Sequence, residues 1–417
     1  MSEPRPIWPA LVAVALAVSV TFIAVRTWMP PPVRPEALPG ESLLREAYAM
    51  TREHSVLPLD QERLGEGAVA GLVGAVDPYA EAYGPVEWEI FRQRARGAFT
   101  GVGLDLVALG GRTIIASVIP GSPAEEAGIR PGERLLSIDN KPIDDAVDVD
   151  ILLDGPLGSR VALIVGTLEG ADGRGLSVPR RDMDRPTVHA TRIDDHTGLL
   201  VITEFRPTTP AQFDAAWSKL ALMPPQHLIV DVRNNHGGDL DAAAAVADRW
   251  IEEGIIYRRV GRTEDSSFGA TSGSPLASCR TLLLVNGETA SAAEVLAGAL
   301  SDHGCALMIG ERTYGKGAIQ EVMAFANSPG GMKITTGVLL TPSGRSLESH
   351  LPSVVRGVGG GGLIPDVVIK VPAGNRAALE RARHRERWPL HVRELVERHD
   401  GANVADEARD IAMKLLR

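Results

Sequence analysis

Residues 285–295 read VNGETASAAEV and join an apolar run to a helix-forming stretch. The apolar run at 281–285 has the length of a buried strand, and small residues head the stretch that follows it. A strand that turns directly into a helix is the repeating unit of α/β layer folds. The segment therefore predicts an α/β fold in which Ser291 lies near the N-terminus of a helix.

Strand and helix alternate on both sides of this segment. Apolar runs typical of strands lie at 199–202, 227–232 and 306–309, and helical stretches lie at 211–222, 242–253 and 290–302. The runs at 281–285 and 306–309 are candidates for neighbouring parallel strands. A different character begins at residue 101, where short strand-like runs alternate with a small helix and tight turns.

Composition and charge limit the classes of function. The chain has 417 residues, of which 44% are hydrophobic, so it can bury full cores in two or three domains. Lys and Arg number 43 and Asp and Glu number 53, which leaves a net charge of −10 at pH 7. An acidic chain without a basic stripe argues against nucleic acid as a main partner.

Cysteine and histidine spacing argues against a metal site, because neither Cys-x-x-Cys nor His-Glu-x-x-His occurs. Cys279 and Cys305 are too few for a disulfide scaffold, and each lies beside an apolar run. Two interpretations stay open. The pair forms one disulfide if this part of the chain is exported, or the two are buried free thiols.

The extreme N-terminus looks like a targeting element. Residues 6–25 carry no charge, and twenty uncharged residues can just span a bilayer. This favours an uncleaved transmembrane anchor. A cleaved signal peptide is the alternative, because small-residue triplets occur, but they lie inside the apolar run rather than after it. Prolines at 30, 31, 32 and 35 then predict an extended spacer.

The remaining flanks are predicted to be helical. Apolar spacing at 42–53 and 62–73 predicts two helices, and the second leads to a turn at 77–79. The C-terminal tail is charged and helix-forming and is broken once at Pro389. We interpret this tail as a solvated helical pair, and a role in dimerisation stays open.

Glycines follow an apolar run in the sequence DVRNNHGG, residues 231–238. Glycine frees the backbone, so that N–H groups can point into a cavity. Gly237 or Gly238 is therefore a candidate donor to a developing oxyanion. The alternative is that both glycines only turn the chain into the next helix.

Ser291 heads the predicted helix at 290–302. A hydroxyl group there is exposed, and the free amide of Ala292 beside it can stabilise an alkoxide or an oxyanion. The alternative role, which is the more common one for such a residue, is that of a helix N-cap.

The sequence GERTYGKGAIQ, residues 310–320, nearly matches a phosphate-binding loop. Position 317 is glycine, so the hydroxyl that would bind magnesium is missing, and a strand rather than a helix is predicted after it. Desolvation among glycines and apolar residues favours the neutral amine of Lys316, as a general base requires, although a lone lysine is usually a solvated surface charge. Gln320 shares a face with Lys316 and can hold the amine, so Ser291, Lys316 and Gln320 can form a hydrolytic centre.

Residues 99–184 resemble a PDZ domain. The resemblance rests on GVGLDL at 101–106, TIIASV at 113–118, RPGERLLSID at 130–139 and GPLGSRVALIV at 155–165. It implies that the loop amides at Gly101, Val102, Gly103 and Leu104 bind a C-terminal carboxylate and that the peptide adds as a strand.

Residues 42–372 resemble the carboxyl-terminal processing peptidases, which are S41-type serine proteases with a PDZ domain and a Ser-Lys-Gln centre. The resemblance rests on the three motifs above and on MKITT at 332–336, TPSGRS at 341–346 and GLIPDV at 362–367. It implies that Ser291 attacks the peptide carbonyl, that Lys316 takes and returns the proton, and that Gln320 orients Lys316. Amides of Gly237 and Ala292 would then bind the oxyanion.

The resemblance also implies an exported enzyme, with neither metal nor organic cofactor, that recognises the apolar C-terminal tails of unfolded or precursor proteins. Two features depart from the family's pattern. His236 stands where Pro or Gly is commoner, and the glycine run at 357–362 lengthens a loop. We expect His236 to have no catalytic role, because a lysine is present to act as the base.

We therefore expect a crotonase-like (ClpP-like) α/β peptidase core with an inserted PDZ domain, a helical N-terminal arm and one N-terminal transmembrane helix. The expected boundaries are 1–29 for the anchor or signal segment, 30–40 for the spacer, 41–98 for the arm, 99–184 for the PDZ domain, 185–372 for the core and 373–417 for the tail.

The expected partners are polypeptide substrates and, through the N-terminal segment, a membrane, with the catalytic part exported. A homo-oligomer or an activating adaptor stays open. The rival hypothesis is a non-catalytic PDZ scaffold on a peptidase fold. The intact set of Ser291, Lys316 and Gln320 argues against it, because a scaffold has no physical need for all three.

Overall fold

The computed structural model of the chain describes residues 39–371 with short gaps, together with 392 and 406–416. The gaps are 96–98, 110, 144–152, 154, 169, 171, 184–185, 263, 272, 274–275, 277, 353–354 and 356–358. The predicted membrane or signal segment, most of the spacer and most of the C-terminal tail lie outside the described residues. Within the described ranges, no helix is long and apolar enough to cross a membrane.

The described residues fall into two compact units, divided between residues 71 and 72. The first unit contains α1 (Pro39–His54) and most of α2 (Gln61–Gly74), which confirms both predicted helices. In the second unit, a turn at 77–79 precedes β1 (Glu81–Tyr83) and α3 (Pro85–Ala95).

A small β domain follows in the second unit. Its elements are β2 (Phe99–Gly101), β3 (Leu104–Leu109), β4 (Arg112–Val118), α4 (Pro123–Glu126), β5 (Arg134–Ile138), β6 (Lys141–Pro142), β7 (Arg160–Gly166), β8 (Gly173–Pro179) and β9 (Arg181–Met183). One sheet has the order β3-β4-β5-β7-β8, with β6 paired to β5, and β2 pairs with β9. Ile115, Leu135 and Val161 are buried in its own core.

The larger α/β part follows. Its elements are β10 (Val188–Arg192), β11 (Thr197–Ile202), α5 (Thr209–Ala221), β12 (His227–Asp231), α6 (Leu240–Ala247), β13 (Ile255–Gly261), β14 (Asp265–Gly269), β15 (Arg280–Val285), α7 (Ala292–Asp302), β16 (Ala306–Gly310), β17 (Ala318–Ala324), β18 (Gly331–Leu340), β19 (Val367–Val368) and α8 (Glu407–Leu416). Strands β15 and β16 are parallel neighbours, which confirms the predicted pairing.

The main sheet has the order β10-β11-β12-β15-β16-β19. Successive side chains of a strand point to opposite faces of this sheet. Leu228 and Val230 pack with α5, α6 and α7, whereas Ile229 packs with Ala408 and Ala412 of α8. Burial of both faces explains why these strands read as continuous apolar runs. The result is a helix–sheet–helix arrangement of layers.

The loop that carries the predicted base, Lys316, leads into a second sheet. It has the order β1-β18-β13-β14, and β17 pairs with β18. The strand predicted after residue 317 is β17, so that prediction is confirmed, and β17 carries Gln320. The hairpin of β13 and β14 was not predicted.

The structure corrects the length of one predicted helix and decides between the two interpretations of the cysteine pair. The helix predicted at 242–253 ends at Ala247, because the backbone then tightens: the N–H groups of Arg249 and Trp250 donate to carbonyls three residues back, at 3.1 Å and 3.0 Å. Cys279 and Cys305 are both free thiols, and burial raises the pKa of each.

Candidate active site

Ser291 occupies a sharp turn between β15 and α7. Its φ is +55° and its ψ is −121°, a region that residues other than glycine rarely adopt and that costs about 1–3 kcal/mol. The buried Thr289 stabilises the turn, since its hydroxyl donates to the Val232 carbonyl (2.9 Å) and accepts from the Asn286 N–H (3.0 Å). Surrounding hydrogen bonds therefore impose a strained conformation on Ser291.

Glu294 joins the Ser291 turn to the loop that carries Lys316. This carboxylate is 0% exposed. Its Oε2 accepts from the Ser291 and Lys316 N–H groups, each at 2.9 Å. Its Oε1 accepts from the Thr313 hydroxyl (2.5 Å) and the Gly315 N–H (2.9 Å). A single buried side chain thus fixes the backbones of both predicted catalytic residues.

Two opposing effects act on the pKa of Glu294. Burial raises it above the ordinary value of 4.5, whereas the four hydrogen bonds to the carboxylate act in the opposite direction, and the net shift is upward. All four partners are donors, so the arrangement requires an acceptor at both oxygens, as an ionised carboxylate provides.

Glu348 holds the same loop from a second direction. It is also 0% exposed. Its Oε2 accepts from the Gly317 N–H (2.9 Å), and its Oε1 accepts from the N–H groups of His350 (2.6 Å) and Leu351 (3.0 Å). The consecutive amides 315–317 therefore bind two internal carboxylates, where a phosphate-binding loop would present such amides to a nucleotide.

Lys316 is partly buried in the loop that precedes β17. Its Nζ lies 5.4 Å from the centroid of the Tyr79 ring. Burial lowers the pKa of Lys316 below 10.5, the charge of Lys333 lowers it further, and the Glu348 carboxylate raises it. The environment thus favours the neutral amine, as the sequence predicts.

Gln320 lies next to the same aromatic residue. Its Nε2 donates to the Tyr79 carbonyl at 2.9 Å. The pairing of β17 with β18 shifts register between Ile319 and Gln320, which marks a bulge at this point. The structure thus brings Gln320 and Lys316 to one common neighbour, Tyr79.

The glycine loop after β12 lies against Ser291. Gly237 has a φ of +98°, and a Cβ placed on it would lie 2.7 Å from the Ser291 Cβ and 2.8 Å from the Ala292 nitrogen. Gly238 has a φ of +128°, and a Cβ there would lie 2.1 Å from the Phe205 carbonyl oxygen. Both positions therefore require glycine. The short distances from Gly237 also show that the predicted oxyanion donors Gly237 and Ala292 lie beside the predicted nucleophile, Ser291.

The Gly237 amide already has a partner. It donates to Asn235 Oδ1 at 2.9 Å, and Asn235 is 0% exposed. To bind an oxyanion, this N–H must leave Asn235 or share its hydrogen. His236, next to it, is on the surface with its Nδ1 3.8 Å from Glu288, and its lack of a catalytic role stays a prediction.

The predicted carboxylate-binding loop lies between β2 and β3. Gly101, Val102, Gly103 and Leu104 are all buried, and Gly103 has a φ of +88°. A Cβ on Gly103 would lie 2.3 Å from the Ser122 Cβ, so glycine is required there too. In the described part of the domain, β3 is an edge strand, with β4 on one side only.

A cavity of about 150 Å³ lies between α6 and the second sheet. Its lining is mixed: Leu240, Tyr257, Phe268 and Ile319 line it together with Arg259, Ser266 and Ser267. Leu240 closely follows the glycine loop and Ile319 precedes Gln320 in the chain.

Among the described residues, no group of three or more His, Cys, Asp or Glu side chains could hold a metal ion.

Sequence reasoning missed three residues of this site. Glu294 stands three positions after Ser291, which is the capping-box spacing and could have indicated it. Glu348 and Tyr79 have no local signal, because both reach Lys316 only through the tertiary fold.

Comparison with known proteins agrees with this fold. Residues 196–369 match the family model described as peptidase family S41, and residues 114–165 match a PDZ domain model. These matches identify an S41 peptidase region and a PDZ region in the chain, which is therefore similar to serine peptidases of family S41 that carry a PDZ domain.

Individual relatives support the same conclusion. A carboxy-terminal-processing protease of Bartonella bacilliformis is 29% identical over 339 residues, which cover 78% of this chain and 74% of that protein. A protein of Staphylococcus epidermidis named "Probable CtpA-like serine protease" is 29% identical over 324 residues, which cover 75% of this chain and 62% of that protein. The solved structure of the photosystem II D1 C-terminal processing protease is 27% identical, with a TM-score of 0.50, over 79% of this chain and 86% of its own.

Proposed function

We propose that this chain is a serine endopeptidase that cleaves exported proteins near their C-termini, with Ser291 as nucleophile and Lys316 as general base. The observation that carries the proposal is the Glu294 carboxylate, whose Oε2 accepts from the N–H groups of both residues. If Ser291 were only a helix cap, the Glu294 carboxylate would have no reason to bind the N–H of Lys316 as well. The core is proposed to be crotonase-like.

The chemistry follows from the proposed roles. The neutral amine of Lys316 accepts the hydroxyl proton as Ser291 Oγ attacks the scissile carbonyl. The tetrahedral oxyanion is stabilised by the amides of Gly237, Gly238 and Ala292. When the C–N bond breaks, the Lys316 ammonium returns the proton to the leaving amine. Water, deprotonated by Lys316, then hydrolyses the acyl-enzyme and regenerates Ser291, while Gln320 orients the amine.

The PDZ domain is proposed to bind the substrate C-terminus. Strand β3 has an edge to which an extended peptide can add. The backbone amides of the loop at 101–104 are proposed to bind the terminal carboxylate. We propose that the domain both delivers the tail and gates the site. A variant without the PDZ domain that loses tail binding but keeps Ser291 tightly inhibited would contradict this role.

Location belongs to the same proposal. The uncharged stretch at 6–25 is proposed to anchor the chain, with the catalytic part outside the cytoplasm.

The test is incubation of the full chain with an unfolded protein that ends in apolar residues, with products identified by intact mass. We expect the parent to cut near the C-terminus and both Ser291→Ala and Lys316→Ala to leave the substrate intact. If the parent binds the tail but never cuts it, even with candidate partners added, the scaffold hypothesis replaces this one.

A further inference from the structure

Tyr79 enters the site from the segment before the PDZ domain, outside the residues that match the peptidase family. It follows Asp77 and Pro78 in a turn. Its N–H donates to Asp77 Oδ1 (2.8 Å), and Asp77 Oδ2 accepts from the Thr335 N–H of β18 (3.3 Å). The turn is therefore attached to the strand that pairs with β17, where Gln320 lies.

Three parts of Tyr79, its carbonyl, its ring and its hydroxyl, each lie next to a different residue of the proposed site. Its carbonyl accepts from Gln320 Nε2 at 2.9 Å. Its ring centroid lies 5.4 Å from Lys316 Nζ. Its hydroxyl lies 3.5 Å from Glu348 Oε1, at the outer limit of a hydrogen bond. Burial raises the pKa of the Tyr79 phenol, so it stays neutral and adds no charge beside Lys316.

An aromatic ring beside an amine can act in two opposite ways. It excludes water and so favours the neutral amine, or its negative face attracts the ammonium. The separation of 5.4 Å is close to the limit of about 6 Å for the attraction. Burial is the largest influence on the pKa of Lys316 and lowers it. Because the attraction is weak at that separation, we expect exclusion of water by the ring to be the stronger effect.

We propose that Tyr79 is a positioning residue of the Ser-Lys centre, with a ring that keeps water from Lys316 Nζ and a carbonyl that fixes Gln320. This inference rests on the proposed function. It also assigns the segment before the PDZ domain a part in the peptidase site, since that segment supplies a residue that contacts both Lys316 and Gln320.

Other groups around Lys316 must be held constant when this inference is tested. Lys333 of β18 lowers its pKa and Glu348, in the loop after β18, raises it. Tyr314 lies on the same loop as Lys316, and its ring packs on His350 (4.7 Å between centroids). None of these side chains is changed by a substitution at Tyr79.

A purely structural role is the alternative, because Tyr79 also packs against Ala318, Val338 and Leu351. Two variants separate the roles. Tyr79→Phe keeps the carbonyl and the ring, whereas Tyr79→Ala keeps only the carbonyl. Leu351→Ala is the matched control, since it weakens the same apolar cluster and leaves the ring beside Lys316.

The measurement is kcat/KM of the full chain against pH, with thermal unfolding of each variant. We expect Tyr79→Phe to follow the parent, and Tyr79→Ala to move the acid limb to higher pH with little change in KM. A rise of one unit in the pKa of Lys316 lowers kcat/KM about tenfold below the limb. Leu351→Ala should lose stability without moving the limb. A Tyr79→Ala limb that stays in place, or moves to lower pH, would overturn the inference.

A second measurement does not depend on catalysis. In a Ser291→Ala background, the rate at which an N-hydroxysuccinimide ester acylates Lys316, followed by peptide mass against pH, reports the pKa of the amine. We expect Tyr79→Ala to raise that pKa and Tyr79→Phe to preserve it, and an unchanged value would sink the inference. Activity that survives Ser291→Ala would instead reject the proposed function, so the two failures are distinct.

Discussion

The two loops that flank Ser291 are held in chemically opposite ways. The loop that carries Lys316 donates its amides to two fully buried carboxylates, Glu294 and Glu348. The glycine loop on the other side is held by a neutral amide, since Asn235 accepts from the Gly237 N–H (2.9 Å) and donates to the Ile202 carbonyl (3.0 Å).

The difference has a physical consequence for each loop. A carboxylate accepts hydrogen bonds at both oxygens, so the Lys316 loop should respond to a Glu→Gln change, most strongly at Glu294, which binds the N–H groups of both Ser291 and Lys316. The amide of Asn235 does not titrate, and the glycine loop instead depends on positive φ values and close backbone approach. Substitutions on each side therefore have distinct expected effects.

The largest effect is expected for Glu294→Gln. Whichever way the amide is placed, its NH₂ group faces two donors, and each donor left unpaired costs about 1–3 kcal/mol. We expect the free energy of unfolding to fall by about 2–6 kcal/mol. Turnover should fall by about 10³-fold or more, because Ser291 and Lys316 both lose their anchor and misplacement of a single group costs about 10²-fold. Urea unfolding and steady-state kinetics measure the two quantities.

The control is Glu321→Gln on β17. Glu321 pairs with Arg259 (2.5 Å) at the surface, where such pairs contribute at most about 1 kcal/mol. If Glu294→Gln were as stable and active as this control, the carboxylate would not be the anchor of the site.

Next in size is Gly237→Ala, on the opposite side. The new Cβ would lie 2.7 Å from the Ser291 Cβ, at a φ of +98°. We expect turnover to fall by about 10²–10³-fold, as for the loss of an oxyanion donor. The control is Gly287→Ala, where the nearest atom is 3.9 Å away. Equal activity of the two variants would remove Gly237 from the site.

A smaller effect is expected for Glu348→Gln, and it raises activity at low pH instead of lowering it. The Glu348 carboxylate raises the pKa of Lys316, so a neutral side chain lowers that pKa and leaves more neutral amine at low pH. The acid limb of kcat/KM should therefore move to lower pH by less than about one unit. A pH profile checks the direction, and a shift to higher pH would count against Lys316 as the base.

The smallest effect on turnover is expected for Asp406→Asn. Asp406 binds the buried Arg233 guanidinium at 2.7 Å and 2.8 Å, behind the glycine loop. Burial alone would raise the pKa of Asp406, but Arg233 holds it below 3.8. Stability from this pair is therefore present above pH 3.8 and is lost as pH falls through the lower, folded-state pKa.

We expect Asp406→Asn to lower the free energy of unfolding at neutral pH by about 1.5–3 kcal/mol. The difference from the parent should shrink as pH falls below 3.8. Urea unfolding at several pH values measures it. A difference that does not vary with pH would show that the ionised carboxylate is not the source of the stability.

Periodicity predicted the elements that lie close to one another in the chain. The runs at 281–285 and 306–309 became β15 and β16 because both faces of the main sheet are buried, which leaves a continuous apolar signal. The placement of Ser291 before α7 followed from the same pattern. The hairpin β13–β14 was missed, since β14 reads DSSFG and its residues are exposed.

The site was predictable only where chemistry and glycine patterns lie within a short motif. Ser291, Lys316, Gln320 and Gly237 were each named from such a motif. Tyr79 contacts Gln320 across 241 positions of sequence, and Glu348 accepts from Gly317 across 31. No local pattern encodes either contact, because the second sheet creates both of them.

The central claim is that Ser291 and Lys316 act as one catalytic unit. Its most direct test is kcat/KM of Ser291→Ala, Lys316→Ala and the double variant on one substrate that the parent cleaves. Residues that act as a unit are strongly non-additive, so the double variant should be no slower than either single variant. Losses that multiply in the double variant, or a single variant that keeps parental activity, would contradict the account.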